Sequence, residues 1–152
     1  MKTTSLDSLI LTLVLALNRI SFGLFFLGAG LMKWQTGITH FYRKDFLGLK
    51  PDWLPEAVAK PYGYALPSLE IIVGGLITLG LFTRTATTLA GLLVASFTIA
   101  CISKAGTLRA TFAEPFHHNY ILITLALLLI VIGPGRLSID GVRCKKCRIK
   151  QV

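Results

Sequence analysis

Four apolar segments, each near the length that a helix needs to cross a bilayer, dominate this chain of 152 residues: 9–32, 66–82, 86–103 and 120–132. About 20 apolar residues in a helix span roughly 30 Å of hydrocarbon. Hydrophobic residues make up 53% of the chain and charged residues only 15%, and the mean hydropathy is +0.67. This composition argues against an ordinary soluble domain. We therefore predict an all-α fold, a transmembrane four-helix bundle.

The fourth apolar segment is the shortest of the set. At 1.5 Å per residue, its thirteen or so residues cover only about 20 Å. To cross the membrane, its helix has to include residues 116–119 before it and Gly133 after it. This extension places His117, His118 and Asn119 at the membrane border.

The net charge of +9 resides mainly outside the apolar segments, where Lys and Arg orient multi-pass proteins, so we expect no nucleic-acid partner. Four crossings place both termini on one side of the membrane. Basic residues are denser in the short segments of that side than in the longer segments of the other. This distribution predicts cytoplasmic termini in a cell (inner or plasma) membrane. The basic tail, residues 142–152, is placed to contact anionic membrane lipids.

The connection between helices one and two, residues 34–64, is long and rich in aromatic residues. Amphipathic rings suit the headgroup layer. With Pro51, Pro55 and Pro61 in it, we expect short helical pieces and turns that lie along the membrane surface. One alternative is a lid that covers no ligand. Pro67 is predicted to open helix two, and residues 82–85 form a tight turn into an antiparallel helix three.

Two ionisable residues, Arg19 and Glu70, interrupt the apolar segments. Such groups cost roughly 2.5–3.5 kcal/mol each on insertion scales, so they are functional candidates by default. Glu70 lies about 6 Å from the loop-side end of its helix, whereas Arg19 lies about 20 Å from that level. Lys33, at the loop-side end of helix one, is therefore the nearer partner for Glu70. Asn119 and either His117 or His118 enter the same layer.

These residues, Lys33, Glu70, His117, His118 and Asn119, form a candidate pocket for a quinone headgroup. Donors would orient the quinone carbonyls, and a carboxylate or imidazole would move protons. The alternative for Lys33 and Glu70 is a neutral pair that fixes helix register. The alternative for the histidines is an ordinary interfacial position. For Arg19 and Arg84 an architectural role is favoured, and Arg19 would reach the headgroups or cap a neighbouring helix.

Signals for a resident metal or cofactor are weak. Side chains of adjacent histidines on a helix point about 100° apart, which disfavours shared ligation of one ion. No Cys-x-x-Cys-His motif and no iron–sulfur spacing is present. We expect no tightly bound cofactor and no metal, so another subunit would carry electrons. Cys144 and Cys147 form a lone Cys-x-x-Cys in the tail. They are candidate redox thiols, or simply part of a basic anchor.

Several short motifs together resemble the DoxX family of four-helix membrane proteins. They are Arg19, Gly28 and Lys33 in helix one, Pro67-Ser68-Leu69-Glu70 with Gly74-Gly75, Gly80-Leu81-Phe82-Thr83-Arg84, Asn119, and Gly133 to Asp140. The likeness covers residues 15–141. It implies a DoxX-like four-helix domain over residues 1–141, followed by the basic cytoplasmic tail, residues 142–152. It also implies functional or architectural roles for Arg19, Lys33, Glu70, Arg84 and Asn119.

Relatives of that family include the small membrane subunit of an archaeal thiosulfate:quinone oxidoreductase and members linked to thiol-redox or oxidative-stress complexes. The resemblance therefore implies an integral membrane subunit of a redox-associated complex, in contact with quinone and with other membrane or redox subunits. If it takes part in an enzyme, it would be an accessory subunit of a quinone-linked oxidoreductase. The alternatives are a structural or assembly subunit, and a lipid or small-molecule binder without catalytic activity.

Overall fold

The computed structural model describes residues 5–105, 117–135 and 137–142, and within these ranges it contains helices and turns but no strands. The helices are α1 (Ser5–Thr36), α2 (Ile38–Phe41), α3 (Leu47–Leu49), α4 (Glu56–Leu79), α5 (Thr83–Ala105) and α6 (His117–Ile132), with a π-helical turn at Tyr42–Phe46 between α2 and α3. The all-α prediction is confirmed.

Among the described residues, three helices are long and apolar enough to cross a membrane: Leu9–Thr36, Glu56–Leu79 and Thr83–Ser103. The fourth apolar helix, His118–Ile132, is shorter than these three. Their outward faces carry large apolar side chains that are about half exposed, among them Leu24 at 50% and Leu127 at 55%. A helix that presents such a face outside a packed core is suited to lipid.

Helices α1 and α4 pack backbone to backbone, because small residues line the contact. A Cβ atom at Gly74 would lie 2.7 Å from the Gly23 carbonyl oxygen, and one at Gly30 would lie 2.8 Å from the Pro67 carbonyl oxygen. In a bilayer, such close van der Waals packing holds helices together where the hydrophobic effect between them is absent. This contact fixes the register of α1 against α4, and hence the level at which their polar side chains meet.

Helix α4 differs from the prediction at its start. The sequence predicted Pro67 as its opening residue, but the helix begins at Glu56 and contains both Pro61 and Pro67. Its first turn closes on Pro55, whose carbonyl accepts hydrogen bonds from Val58 and Ala59. A proline inside a helix removes one backbone hydrogen bond. Packing against neighbouring elements offsets that loss, because Pro67 is fully buried.

A short layer, which we call the lid, covers one end of the bundle and comprises residues 37–54. Its Tyr42 ring stacks on Phe46 at 5.5 Å and on Tyr64 of α4 at 4.7 Å between ring centroids. Gly63 permits this docking, because a Cβ there would lie 2.8 Å from both rings of the lid. Trp53 extends the lid to α5, where its indole nitrogen lies 3.5 Å from the Ser103 hydroxyl.

The opposite end of the bundle is closed by the α4–α5 corner and by residues 137–142. Gly80 ends α4 in the left-handed region at φ 71°. The Asp140 carboxylate accepts hydrogen bonds from the backbone N–H groups of Phe82 (3.1 Å) and Thr83 (2.8 Å). It thereby supplies acceptors for free donors at the start of α5. Residues 137–142 are thus fastened to the corner between α4 and α5.

Candidate functional site

An ion pair joins the last turns of α1 to the middle of α4. The Lys33 ammonium donates to both carboxylate oxygens of Glu70, at 2.5 and 2.6 Å. The Glu70 side chain is only 3% exposed and that of Lys33 is 22% exposed. A carboxylate this deeply buried requires a charged or hydrogen-bonding partner, and α1 supplies it from 37 positions earlier in the chain.

Aromatic rings enclose the same ammonium. The Lys33 nitrogen lies 5.1 Å from the ring centroid of Phe41 in the lid and 5.3 Å from that of Phe97 on α5. Both distances fall within the roughly 6 Å range of cation–π attraction. Lys33 is therefore held by groups from α4, α5 and the lid together, and its position depends on how these elements pack.

A cavity of about 670 Å³ lies on one side of Lys33, between the lid, α4 and α5. We call it the large cavity. Its walls are almost entirely apolar and contain the aromatic side chains of Phe41, Phe46, Trp53, Tyr62 and Phe97. Volumes of roughly 300–1,000 Å³ are typical of small-molecule sites. Several of its other walls, including Leu89 and Leu92, are also exposed on the outer surface of the bundle, so the large cavity reaches the lipid-facing side of α5.

Five polar or charged residues line the large cavity, namely Lys33, Asp45, Lys50, Tyr62 and Ser96. The Tyr62 hydroxyl and the Ser96 hydroxyl, both in its wall, lie 2.6 Å apart and link α4 to α5. At the lid, Lys50 lines the cavity while its ammonium donates to the Leu54 carbonyl at 2.8 Å. An apolar chamber with a few positioned donors suits a ligand that has an apolar body and a small polar head.

A second cavity, of about 210 Å³, lies on the other side of the ion pair. We call it the small cavity. It is lined by Lys33, Glu70 and Asn119 and by apolar side chains of α1, α5 and α6, namely Phe25, Phe26, Ala29, Val94, Phe97 and Leu122. Lys33 and Phe97 line both cavities. The ion pair therefore stands between an apolar chamber of ligand size and a smaller chamber with three polar groups in its wall.

The structure brings together three of the residues that the sequence singled out, Lys33, Glu70 and Asn119. His118 is exposed at the start of α6, and it lines neither the large nor the small cavity. The side chain of His117, and Cys144 with Cys147, lie outside the described residues. Asn119 borders the small cavity and not the large one.

Arg19 lies at the end of the bundle opposite the lid, whereas Glu70 lies near the middle of α4, and each has its own partner. Arg19 is buried to 3% exposure, and it donates to the Leu137 carbonyl at 2.8 Å. Its guanidinium packs against Gly80, where no side chain would fit. Arg84 is exposed at the same end, and its guanidinium nitrogen would lie 3.4 Å from a Cβ at Gly133. Both arginines thus contact the corners that end the helices.

The sequence reasoning missed several residues of the site. The large cavity is lined by Phe41 and Tyr62, whose rings were expected in the headgroup layer, and by Phe97 and Ser96. An aromatic or small residue in an apolar segment, such as Phe97 or Ser96, carries no sign of the side it faces. In residues 5–105, 117–135 and 137–142, no group of three His, Cys, Asp or Glu side chains is close enough to hold a metal ion.

Comparison with protein-family models gives a match over residues 11–132, to the family described as methylamine utilisation protein MauE. The resemblance to the DoxX family is therefore wrong. Many of its motif residues are glycines, and small residues at helix contacts are common to membrane bundles in general. Comparison with curated proteins and with solved structures gives no match. The matched segment runs from within α1 to the end of α6 and includes the whole lid. It covers well over half of the chain, so the chain belongs to the MauE family of membrane proteins.

Proposed function

We propose that this chain is a multi-pass subunit of a methylamine-utilisation system, and that it binds a quinone in the large cavity. The family description supports the first part, since methylamine utilisation is a redox-associated process. The second part is carried by one observation, an apolar cavity of about 670 Å³ with a charged donor, Lys33, in its wall. A membrane quinone has a planar ring, carbonyl acceptors and an apolar tail.

The walls of the large cavity favour a planar ring over a plain acyl chain. Phe41, Phe46 and Phe97 come from three separate elements and face the same space. Aromatic side chains stack with planar rings in offset or edge-to-face geometry. The opening on the lipid-facing side beside Leu92 leaves a path for the tail towards the acyl chains of the bilayer.

Lys33 is the donor that we assign to a quinone carbonyl. An ammonium has three N–H donors; Glu70 accepts from two of them, which leaves one for a ligand. Glu70 has a positioning role in this proposal, because it fixes the ammonium at the cavity wall. Asn119 then acts from the small cavity, and a direct contact between it and the ligand is not part of the proposal.

The topology that we propose has four crossings, with α6 as the fourth and both termini in the cytoplasm of the cell that carries the protein in its plasma membrane. Helix α6 has 16 residues, close to the lower limit of roughly 17 residues for a transmembrane helix. Fusion of a reporter that is active only outside the cytoplasm tests this topology. The reporter should be inactive at the carboxyl terminus and active when inserted at Lys44 in the lid.

Ligand binding is tested with the purified full-length protein in detergent micelles and a short-chain quinone. Quinones quench tryptophan fluorescence, and Trp53 lines the large cavity whereas Trp34 does not. We expect saturable quenching that is lost in Trp53→Phe but retained in Trp34→Phe. We also expect Leu93→Trp, which fills the cavity, to abolish binding measured as a shift of Tm. Leu127→Trp is the matched control, because Leu127 is exposed and lines neither cavity.

The same samples separate the rival functions. Organic extraction that recovers phospholipid or fatty acid in stoichiometric amount, with no saturable quinone quenching, overturns the quinone assignment in favour of a lipid binder. Three results together would identify a structural or assembly subunit. Extraction recovers no bound molecule, Leu93→Trp has no effect on ligand binding, and Glu70→Gln loses complex assembly.

A further inference from the structure

The acceptor sites of Glu70 are only partly filled by Lys33. A carboxylate has about four lone-pair sites, and the ammonium supplies two hydrogen bonds. Within the described part of the chain, Lys33 is the one hydrogen-bonding partner that Glu70 has. The carboxylate is 3% exposed, so little of it is open at the surface, and Glu70 lines the small cavity.

The small cavity has the size and polarity that buried water needs. A buried water needs only about 10–15 Å³ of free volume and two to four polar partners. The cavity offers about 210 Å³ together with the carboxylate of Glu70 and the amide of Asn119, which are two polar partners even when a ligand in the large cavity takes the third N–H of Lys33. An apolar cavity of similar size would stay dry. In the large cavity, polar surface makes up a much smaller share of the wall.

We propose that the small cavity is a hydrated chamber whose water solvates Glu70 and connects it to Asn119 on α6. The chamber lies between α1, α4, α5 and α6, at the level of the ion pair, and it is open on one side, where its wall residue Phe25 is exposed on the outer surface of the bundle. Its water gives the carboxylate a path for proton exchange that does not pass through the large cavity. Asn119 is a positioning residue, which holds the water by its amide. The proposal does not depend on which molecule occupies the large cavity.

Cysteine reactivity distinguishes a wet chamber from a dry one, because methanethiosulfonates react with thiolates and thiolates form in water. Val94 and Leu122 line the small cavity and are 3% and 8% exposed. Each is replaced by Cys in the full-length protein with Cys101, Cys144 and Cys147 changed to Ser. Ala126→Cys is the matched control, because Ala126 is 2% exposed and lines neither cavity.

We expect 2-aminoethyl methanethiosulfonate to modify Val94→Cys and Leu122→Cys at least tenfold faster than Ala126→Cys, in variants whose Tm values lie close to that of the parent. Adding Asn119→Leu to Val94→Cys should lower the modification rate several-fold. If both cavity cysteines react no faster than the control, the chamber is dry and the proposal is overturned. If Asn119→Leu leaves the rate unchanged, the role of Asn119 is overturned.

Discussion

Asp140 and Thr83 lie 57 positions apart in the chain, and the carboxylate of Asp140 accepts hydrogen bonds from both the backbone N–H and the hydroxyl of Thr83, at 2.8 and 3.0 Å. The backbone N–H of Asp140 in turn donates to the Gly80 carbonyl at 3.0 Å. One residue therefore satisfies polar groups at the end of α4 and at the start of α5, next to the Leu137 carbonyl that Arg19 contacts.

The first prediction concerns this fastening. Asp140→Ala removes the acceptor at the start of α5, where loss of a capping side chain costs about 0.5–2 kcal/mol. We expect the free energy of unfolding in detergent micelles to fall by about 1–2 kcal/mol. Asp140→Asn retains one acceptor oxygen and should fall in between. A stability equal to that of the parent in Asp140→Ala would show that the contact contributes nothing.

The second prediction concerns the ion pair. Removal of one partner of a buried pair costs about 3–5 kcal/mol, and because Lys33 is 22% exposed we expect the lower end of that range. Glu70→Leu and Lys33→Met should each destabilise the protein, whereas the double variant should recover most of the loss. Denaturation of all four proteins gives the coupling energy of the cycle. Additive losses would contradict a direct interaction between the two charges.

The third prediction concerns the ammonium site of Lys33, which is formed by Glu70, Phe41 and Phe97. Lys33→Ala deletes the atoms from Cγ to Nζ, which together have the shape of n-propylammonium. Because Glu70, Phe41 and Phe97 remain in place, this cation should bind and raise the Tm of the variant. At ten times its Kd, the stabilisation is about 1.4 kcal/mol.

Two comparisons serve as controls for the stabilisation of Lys33→Ala by n-propylammonium. Tetramethylammonium has no N–H to donate to Glu70 and should rescue weakly. In the parent protein the Lys33 ammonium already fills this site, so neither cation should raise its Tm. Equal stabilisation of the parent and the variant by n-propylammonium would mean that the cation acts elsewhere.

The sequence predicted the helices and the contact between Lys33 and Glu70 because both depend only on lengths along the chain. Apolar length sets how many helices can cross, and the rise per residue sets the level at which a side chain lies. The buried level of Glu70 left few cations able to reach it, and Lys33 was the nearest along the axis.

The walls of the cavities could not be predicted in the same way. Which face of α5 turns Phe97 inward depends on helix rotation, and an apolar segment in lipid has no polar face to set that rotation. The start of α4 was misjudged for a related reason. Pro61 and Pro67 favour a helix start locally, but aromatic packing on Gly63 extends the helix back to Glu56. The role of Asp140 could not be predicted either, because Asp140 lies outside every apolar segment and its partners, Phe82 and Thr83, are distant in the chain.

The last prediction separates close helix packing from helix propensity at two adjacent glycines of α4. A Cβ at Gly74 would lie 2.7 Å from the Gly23 carbonyl oxygen, a backbone atom that moves only with α1, whereas a Cβ at Gly75 would meet nothing within 4 Å. Gly74→Ala should therefore force α1 away from α4 and destabilise the protein by about 1–3 kcal/mol, as overpacking does. Gly75→Ala should leave the stability unchanged or raise it by up to about 1 kcal/mol, since alanine favours helix.

Because α1 carries Lys33, Gly74→Ala should also weaken quinone binding, measured by quenching of Trp53 fluorescence, while Gly75→Ala should not. Equal stabilities in the two variants would mean that the α1–α4 contact is looser than the structure has it.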